Sequence, residues 1–166
     1  MTYYIFRHGE THESKFYIHY TDNIETAEIL PEATPVVKRL AYYLKNERVG
    51  AYFSSPYLRC KQTMEIIKKI TGKGVVYDKR IGEEKVNRNL ETFEDMFARV
   101  KEFHNSLIQK NIKSASICTH GGPIAILSSL ILSGKVNQDD LSNYPKTGVL
   151  LVIEEGKLKS LDFNRA

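Results

Sequence analysis

Apolar and polar positions along this chain change period several times, and each change marks an element. Tyr3-Tyr4-Ile5-Phe6 is a run of aromatic and β-branched residues that predicts a buried strand ending at Arg7-His8-Gly9. Residues 11–35 show no clean period and read as a long loop with a short irregular strand at Phe16 to Tyr20. Thr34 as N-cap and Pro35 as first helical residue then open a helix over 35–46, with Val36, Val37, Leu40, Ala41 and Leu44 on one face. Ala51-Tyr52-Phe53-Ser54 is the next strand; Pro56 breaks it, and a helix follows from Tyr57 to Thr71, stopped by Gly72. Val75-Val76-Tyr77 is a short third strand before a polar loop over 78–91. Thr92 and Asp95 have the spacing of a capping box, and Phe93, Met96, Phe97, Val100, Phe103 and Leu107 keep a helical period to Lys110. Ser114 to Cys118 reads as a fourth strand, Pro123 to Leu132 as an apolar helix, and 147–153 with 157–164 as a hairpin about Gly156.

Strands alternating with helices predict an α/β fold of three layers, a mainly parallel sheet with helices on both faces. With no internal repeat or linker, residues 1–166 are expected to form a single domain.

Composition narrows the picture. At 42% hydrophobic and 27% charged residues, with no apolar run long enough to span a bilayer, the chain is expected to have no membrane partner. The sequence enters its first strand at once, so no cleavable signal segment is expected and a cytoplasmic location follows as the default. Only Cys60 and Cys118 are present, one in a predicted helix and one in a predicted strand, which does not suggest a disulfide framework. A net charge of +4 mildly favours anionic ligands and does not call for a nucleic-acid partner.

The chemistry gathers at predicted strand ends, where ligands bind in open α/β sheets. Arg7 and His8 close the first strand, Arg59 lies in the first turn after the second, and His120 follows the fourth. Arg in a first helical turn opposes the helix dipole and needs another reason to be there, and an anion is such a reason. A phosphoryl group in transfer spreads charge over its equatorial oxygens, which two guanidinium forks and two imidazoles would meet. Gly9 would let the backbone turn and come close to a ligand.

Four stretches recur here in a telling order: Arg7-His8-Gly9-Glu10-Thr11, Ser54-Ser55-Pro56-Tyr57-Leu58-Arg59, Asp78-Lys79-Arg80-Ile81-Gly82-Glu83, and Thr119-His120-Gly121-Gly122, with Glu91 to Val100 between the last two. Together they resemble the histidine phosphatase superfamily, also called phosphoglycerate-mutase-like. The resemblance implies that fold and a metal-independent, cofactor-free phosphatase. His8 would be the nucleophile, attacking phosphorus through one ring nitrogen while the other donates to a fixed acceptor such as a backbone carbonyl near Gly9. Glu83 would be the acid, with adjacent Glu84 as the competing choice, and Arg7, Arg59, His120, Gly121 and Ser14 would bind phosphate. The substrate would be a small phosphorylated compound or a phosphoprotein.

The chain also departs from that family's pattern. Ser14 stands where many relatives carry Asn, Thr34 and Val37 replace a Gly and a Gln, and no Trp-Glu-Gly follows the acid. These segments shape substrate pockets, so specificity does not transfer. The alternatives are mutase-type transfer, for which the chain is short, a protein phosphohistidine phosphatase, or an inactive phosphate-binding module. A metal site on His8, His12 and His19 is disfavoured because Gly9 and the loop context spoil any helical ligand spacing.

Overall fold

A computed structural model describes residues 1–166. Six strands, β1 (Thr2–Arg7), β2 (Ala51–Ser54), β3 (Val76–Tyr77), β4 (Ser114–Thr119), β5 (Val149–Glu154) and β6 (Lys157–Asp162), form one sheet ordered β3-β2-β4-β1-β5-β6. The first four strands run parallel, and the β5–β6 hairpin lies antiparallel along β1. The helices are α1 (His12–Phe16), α2 (Ala33–Asn46), α3 (Leu58–Thr71), α4 (Phe93–Gln109) and α5 (Gly121–Ser133).

Alternation along the strands divides the core into two layers. Tyr3, Ile5, Phe53, Ala115, Ile117, Leu151 and Ile153 face Met96, Val100, Phe103 and Leu107 of α4 and Ile124 and Leu127 of α5. Tyr4, Phe6, Tyr52, Cys118 and Leu150 face Val37, Leu40 and Leu44 of α2 and Cys60, Met64 and Ile67 of α3. The three-layer α/β arrangement expected from the sequence is the one observed.

Several local expectations are corrected. No strand forms at Phe16 to Tyr20; His12–Phe16 is a helical turn instead, because Thr11 and Ser14 close a reciprocal capping box and Tyr17 ends the turn in a left-handed conformation. Helix α2 begins at Ala33, before the expected cap Thr34. Pro35 then lies inside the first turn, where a missing N–H is still tolerated. Short 3-10 turns at Lys79–Ile81, Val86–Arg88 and Gln138–Ser142 were not expected. The Thr92/Asp95 capping box and the Gly72 stop occur as read.

Register decides where the chemistry lies. Arg7 pairs with Thr119, and Ser54 with Cys118, so β1, β4 and β2 end almost level. The His8 N–H continues the ladder to the Thr119 carbonyl at 3.1 Å, and the Ser55 N–H reaches the Cys118 carbonyl at 3.0 Å. His8, Ser55 and His120 therefore emerge side by side at one edge of the sheet.

Candidate active site

His8 has no exposed surface. Its Nδ1 lies 2.8 Å from the Gly9 carbonyl, which can only accept, so Nδ1 carries the proton and Nε2 presents a lone pair. That Nε2 is buried and has no partner. Burial, with Arg59 and Arg7 nearby, holds the ring pKa well below the ordinary 6.5. Gly9 is required for packing rather than for a turn: a Cβ there would come within 3.1 Å of Ala33 Cβ and 3.3 Å of Ile29 and Val37. Its N–H donates to Thr63 Oγ1 at 2.8 Å.

Arg59 is likewise fully buried. It donates to the Ile24 carbonyl, lies 3.5 Å from Glu83 Oε2, and stacks 4.0 Å from the centre of the Tyr20 ring. The Nε atoms of Arg59 and Arg7 are both buried and unpaired. Arg7 lies 5.0 Å from the Tyr144 ring. These orphaned donors beside the unpartnered Nε2 of His8 are what an oxyanion would satisfy.

Glu83 turns into the cluster and Glu84 does not. Glu83 is 9% exposed, and its Oε2 lies 3.5 Å from Arg59 and 3.6 Å from His120 Nδ1. Glu84 instead accepts from the Asn87 backbone and side chain, and its stem packs where a Cβ on Gly122 would fall. Burial raises the Glu83 pKa, against the pull of Arg59.

His120, at the start of α5, has Nε2 2.7 Å from Ser55 Oγ. Ser55 Oγ accepts from the Tyr57 N–H at 3.3 Å and keeps its own proton free to donate to Nε2, the tautomer in which the ring proton sits on Nδ1 on the Glu83 side. Burial, then Arg59, His8 and Arg7, push its pKa well below 6.5, so His120 is a neutral donor rather than an imidazolium. With the imidazole neutral, its contact with Glu83 is a close approach and not an ion pair.

Of the sequence-predicted residues, the structure gathers Arg7, His8, Arg59, Glu83 and His120, with Gly121 next to Arg7 beneath the Tyr144 ring. Ser14 is spent elsewhere: its hydroxyl bonds Thr11 in the capping box of α1. His12 lies on α1 against Phe16, not with His8. Sequence reasoning missed Ser55, which orients His120, the tyrosines 20, 57 and 144, and Arg99. Ser55 and Tyr57 sit inside the Ser54-to-Arg59 motif and were within reach; Tyr20 and Tyr144 come from segments with no periodic signal.

Donor atoms of His8, Glu83 and His120 lie within 4.8 Å of one another, a spacing that could also hold a metal ion. The setting opposes it, since the charges of Arg59 and Arg7 already bear on all three groups and would repel a dication.

The fold has counterparts among solved structures. The fold is similar to Bacillus stearothermophilus YhfR, with TM-score 0.77 at 17% identity over 99% of both chains. It is similar to the alpha-ribazole phosphatase from Shigella flexneri, with TM-score 0.76 at 14% identity over 99% of this chain and 96% of that one. It is also similar to the protein histidine phosphatase SixA complexed with tungstate, with TM-score 0.67 at 14% identity over 97% and 94%. Among curated proteins none matches this sequence. Residues 3–88, just over half of the chain and the part carrying Arg7, His8, Arg59 and Glu83, match the family profile described as Histidine phosphatase superfamily (branch 1), and the chain belongs to that superfamily.

Proposed function

We propose that the protein is a phosphatase that hydrolyses phosphomonoesters through a phosphohistidine on His8. The observation that carries this reading is the buried, unpartnered Nε2 of His8, its one ring proton kept on Nδ1 by the Gly9 carbonyl and its ring held neutral by burial and by the charges of Arg59 and Arg7, beside a second neutral imidazole. Nε2 attacks phosphorus in line, the bond from phosphorus to the leaving oxygen breaks, and Glu83, whose raised pKa keeps a proton available, protonates that oxygen. The unpaired Nε–H groups of Arg7 and Arg59 and the Nδ1–H of His120 bind the equatorial oxygens. In the second step water attacks the phosphohistidine, Glu83 accepts its proton, and phosphate leaves with His8 returned to its neutral form.

The leaving group is assigned to the groove of about 900 Å³ that Glu83 shares with Tyr57, Lys61, Lys79 and Lys85. The groove is open and lined mainly by charged and polar residues, so it suits a hydrophilic leaving group and brings solvent up to Glu83. An open groove beside the acid favours hydrolysis over mutase-type transfer, because a mutase must exclude water until its second transfer. Tungstate bound to SixA, a similarly folded protein, supports an oxyanion site at these strand ends.

Rapid quenching during turnover of p-nitrophenyl phosphate should trap an acid-labile phosphoryl group on His8, absent in His8→Ala. An active His8→Ala variant would defeat the mechanism. With 3-phosphoglycerate and a trace of the 2,3-bisphosphate, phosphate release should exceed formation of 2-phosphoglycerate; the reverse would make the protein a mutase.

A further inference from the structure

The loop carrying Glu83 is tied to α4, where Glu102 and Ser106 bond the Arg80 side chain and Arg99 bonds the loop backbone itself. Arg99 donates through Nη1 to the carbonyls of Arg80 and Gly82, at 2.8 and 2.9 Å, and through Nη2 to the carbonyl of Glu83 at 3.1 Å. The same guanidinium grips Glu91 with two further bonds, Nε to Oε2 at 3.0 Å and Nη2 to Oε1 at 2.7 Å. Glu91 Oε1 in turn accepts the Lys85 N–H at 2.9 Å. One planar fork thus closes both ends of the 80–91 loop, and both ionic partners are largely shielded from solvent.

We propose that Arg99 is a positioning residue for the proton donor, an inference that rests on the reading in which Glu83 protonates the leaving oxygen. The Glu83 side chain has few anchors of its own. Its Oε1 accepts from the neighbouring Glu84 N–H, a bond that moves with the loop, and its Oε2 makes only long contacts of 3.5 and 3.6 Å with Arg59 and His120. The placement of the carboxyl group is therefore set by its backbone, and that backbone is held at the Ile81 carbonyl by Thr119 Oγ1 and at the Arg80, Gly82 and Glu83 carbonyls by Arg99, the one side chain that bonds Glu83's own carbonyl. Proton transfer needs the acid within hydrogen-bond reach of the leaving oxygen, so a small drift of the loop costs protonation without touching His8, Arg7 or Arg59.

Lysine cannot replace this guanidinium. An ammonium is one point at the end of a flexible stem, whereas the three carbonyls and the carboxylate are bonded by donors lying in one plane. Glu91 supports the arrangement by neutralising Arg99 and fixing its rotamer.

The test separates positioning from general damage by leaving-group dependence. The full-length wild type, Arg99→Lys, Glu91→Gln, Glu83→Gln and the Arg99→Lys/Glu83→Gln double variant are assayed with p-nitrophenyl phosphate and n-propyl phosphate, and folding is checked by thermal unfolding. Removing an acid matters little for the aryl ester, whose leaving oxygen needs hardly any protonation. Arg99→Lys should slow the alkyl ester about 10-fold or more while changing the aryl ester by no more than about 3-fold. Glu91→Gln should act in the same direction and more weakly, and the double variant should be no more selective than Glu83→Gln alone.

Equal slowing of both esters by Arg99→Lys, or extra selectivity in the Glu83→Gln background, would overturn the inference. If Glu83→Gln is selective and Arg99→Lys and Glu91→Gln are not, the positioning role alone fails. If Glu83→Gln shows no selectivity, the proton-donor reading fails and the role of Arg99 falls with it.

Discussion

Acid should destabilise this fold in proportion to its buried neutral histidines, and His8 offers the cleanest case. Its imidazole has no exposed surface, donates Nδ1–H to the Gly9 carbonyl, and is kept well below its ordinary pKa of 6.5 by burial and by the charges of Arg59 and Arg7. In the unfolded chain the same ring titrates normally. Below its ordinary pKa the unfolded state therefore binds a proton that the native state refuses. A depressed pKa of this kind gives stability that is present above the ordinary value and lost as the pH falls. The slope is about 1.4 kcal/mol per pH unit for one group, so the loss between pH 7 and pH 5 comes to about 2 kcal/mol. His8→Asn removes the titration while keeping an amide donor for the Gly9 carbonyl. Urea unfolding of both proteins at pH 7, 6 and 5, in buffers without phosphate or sulfate, should show the wild type losing about 2 kcal/mol of its advantage over the variant. In a domain of this size that equals roughly 4–8 °C in Tm. Glu83, raised by burial, contributes with the opposite sign, losing stability as pH rises, and cancels in the difference because both proteins retain it. A wild-type-minus-variant difference that stays flat from pH 7 to 5 would refute the reasoning and would mean that His8 is not the neutral nucleophile proposed above.

Turnover should carry the same signs. For an alkyl phosphate, kcat/KM should fall as pH rises through the elevated pKa of Glu83, with a shallower fall for p-nitrophenyl phosphate; superimposable profiles would deny Glu83 the acid role. Arg59→Lys keeps a charge but loses the fork and the stacking on Tyr20, so kcat/KM should drop about 100-fold with the fold intact, and a variant within about 3-fold of wild type would remove Arg59 from phosphate binding. Prolonged treatment with a chelator should leave activity unchanged; loss that a divalent ion restores would revive a metal site at His8, Glu83 and His120. Leu107→Ala in the α4 layer should cost about 2–5 kcal/mol in urea unfolding without altering the leaving-group dependence of the remaining native enzyme.

Much of the architecture was legible in local patterning. Periodicity located α4 and its apolar face because amphipathic helices state their burial in every turn, and Met96, Val100, Phe103 and Leu107 are indeed the buried ones. The region before α2 was not legible in the same way. The Thr11/Ser14 capping box competes there with the β-branched and aromatic character of Phe16 to Tyr20, and it yields a helical turn where a strand was expected. Ser14 shows the consequence for the site, since a hydroxyl that the sequence offers to phosphate is consumed by its own helix cap.

The sequence by itself determined which residue types stand at strand ends, and thereby the candidate set Arg7, His8, Arg59 and His120, because strand termini and helix starts are written in local composition, while Glu83, with Glu84 as its rival, came from the family resemblance alone. Only the tertiary structure decided how those groups behave. Sheet order and register bring His8, Ser55 and His120 level, and no local signal encodes which strands become neighbours. The proton on His8 is set by a carbonyl one residue away, but its depressed pKa comes first from burial within the fold and then from Arg59, far along the chain. Glu83 is separated from Glu84 as the buried carboxyl by a loop whose backbone is bonded by Thr119 and by Arg99, residues on a distant strand and helix. Electrostatics and hydrogen bonding act through space, so residues with ordinary local sequence acquire their chemistry from partners that only the fold supplies.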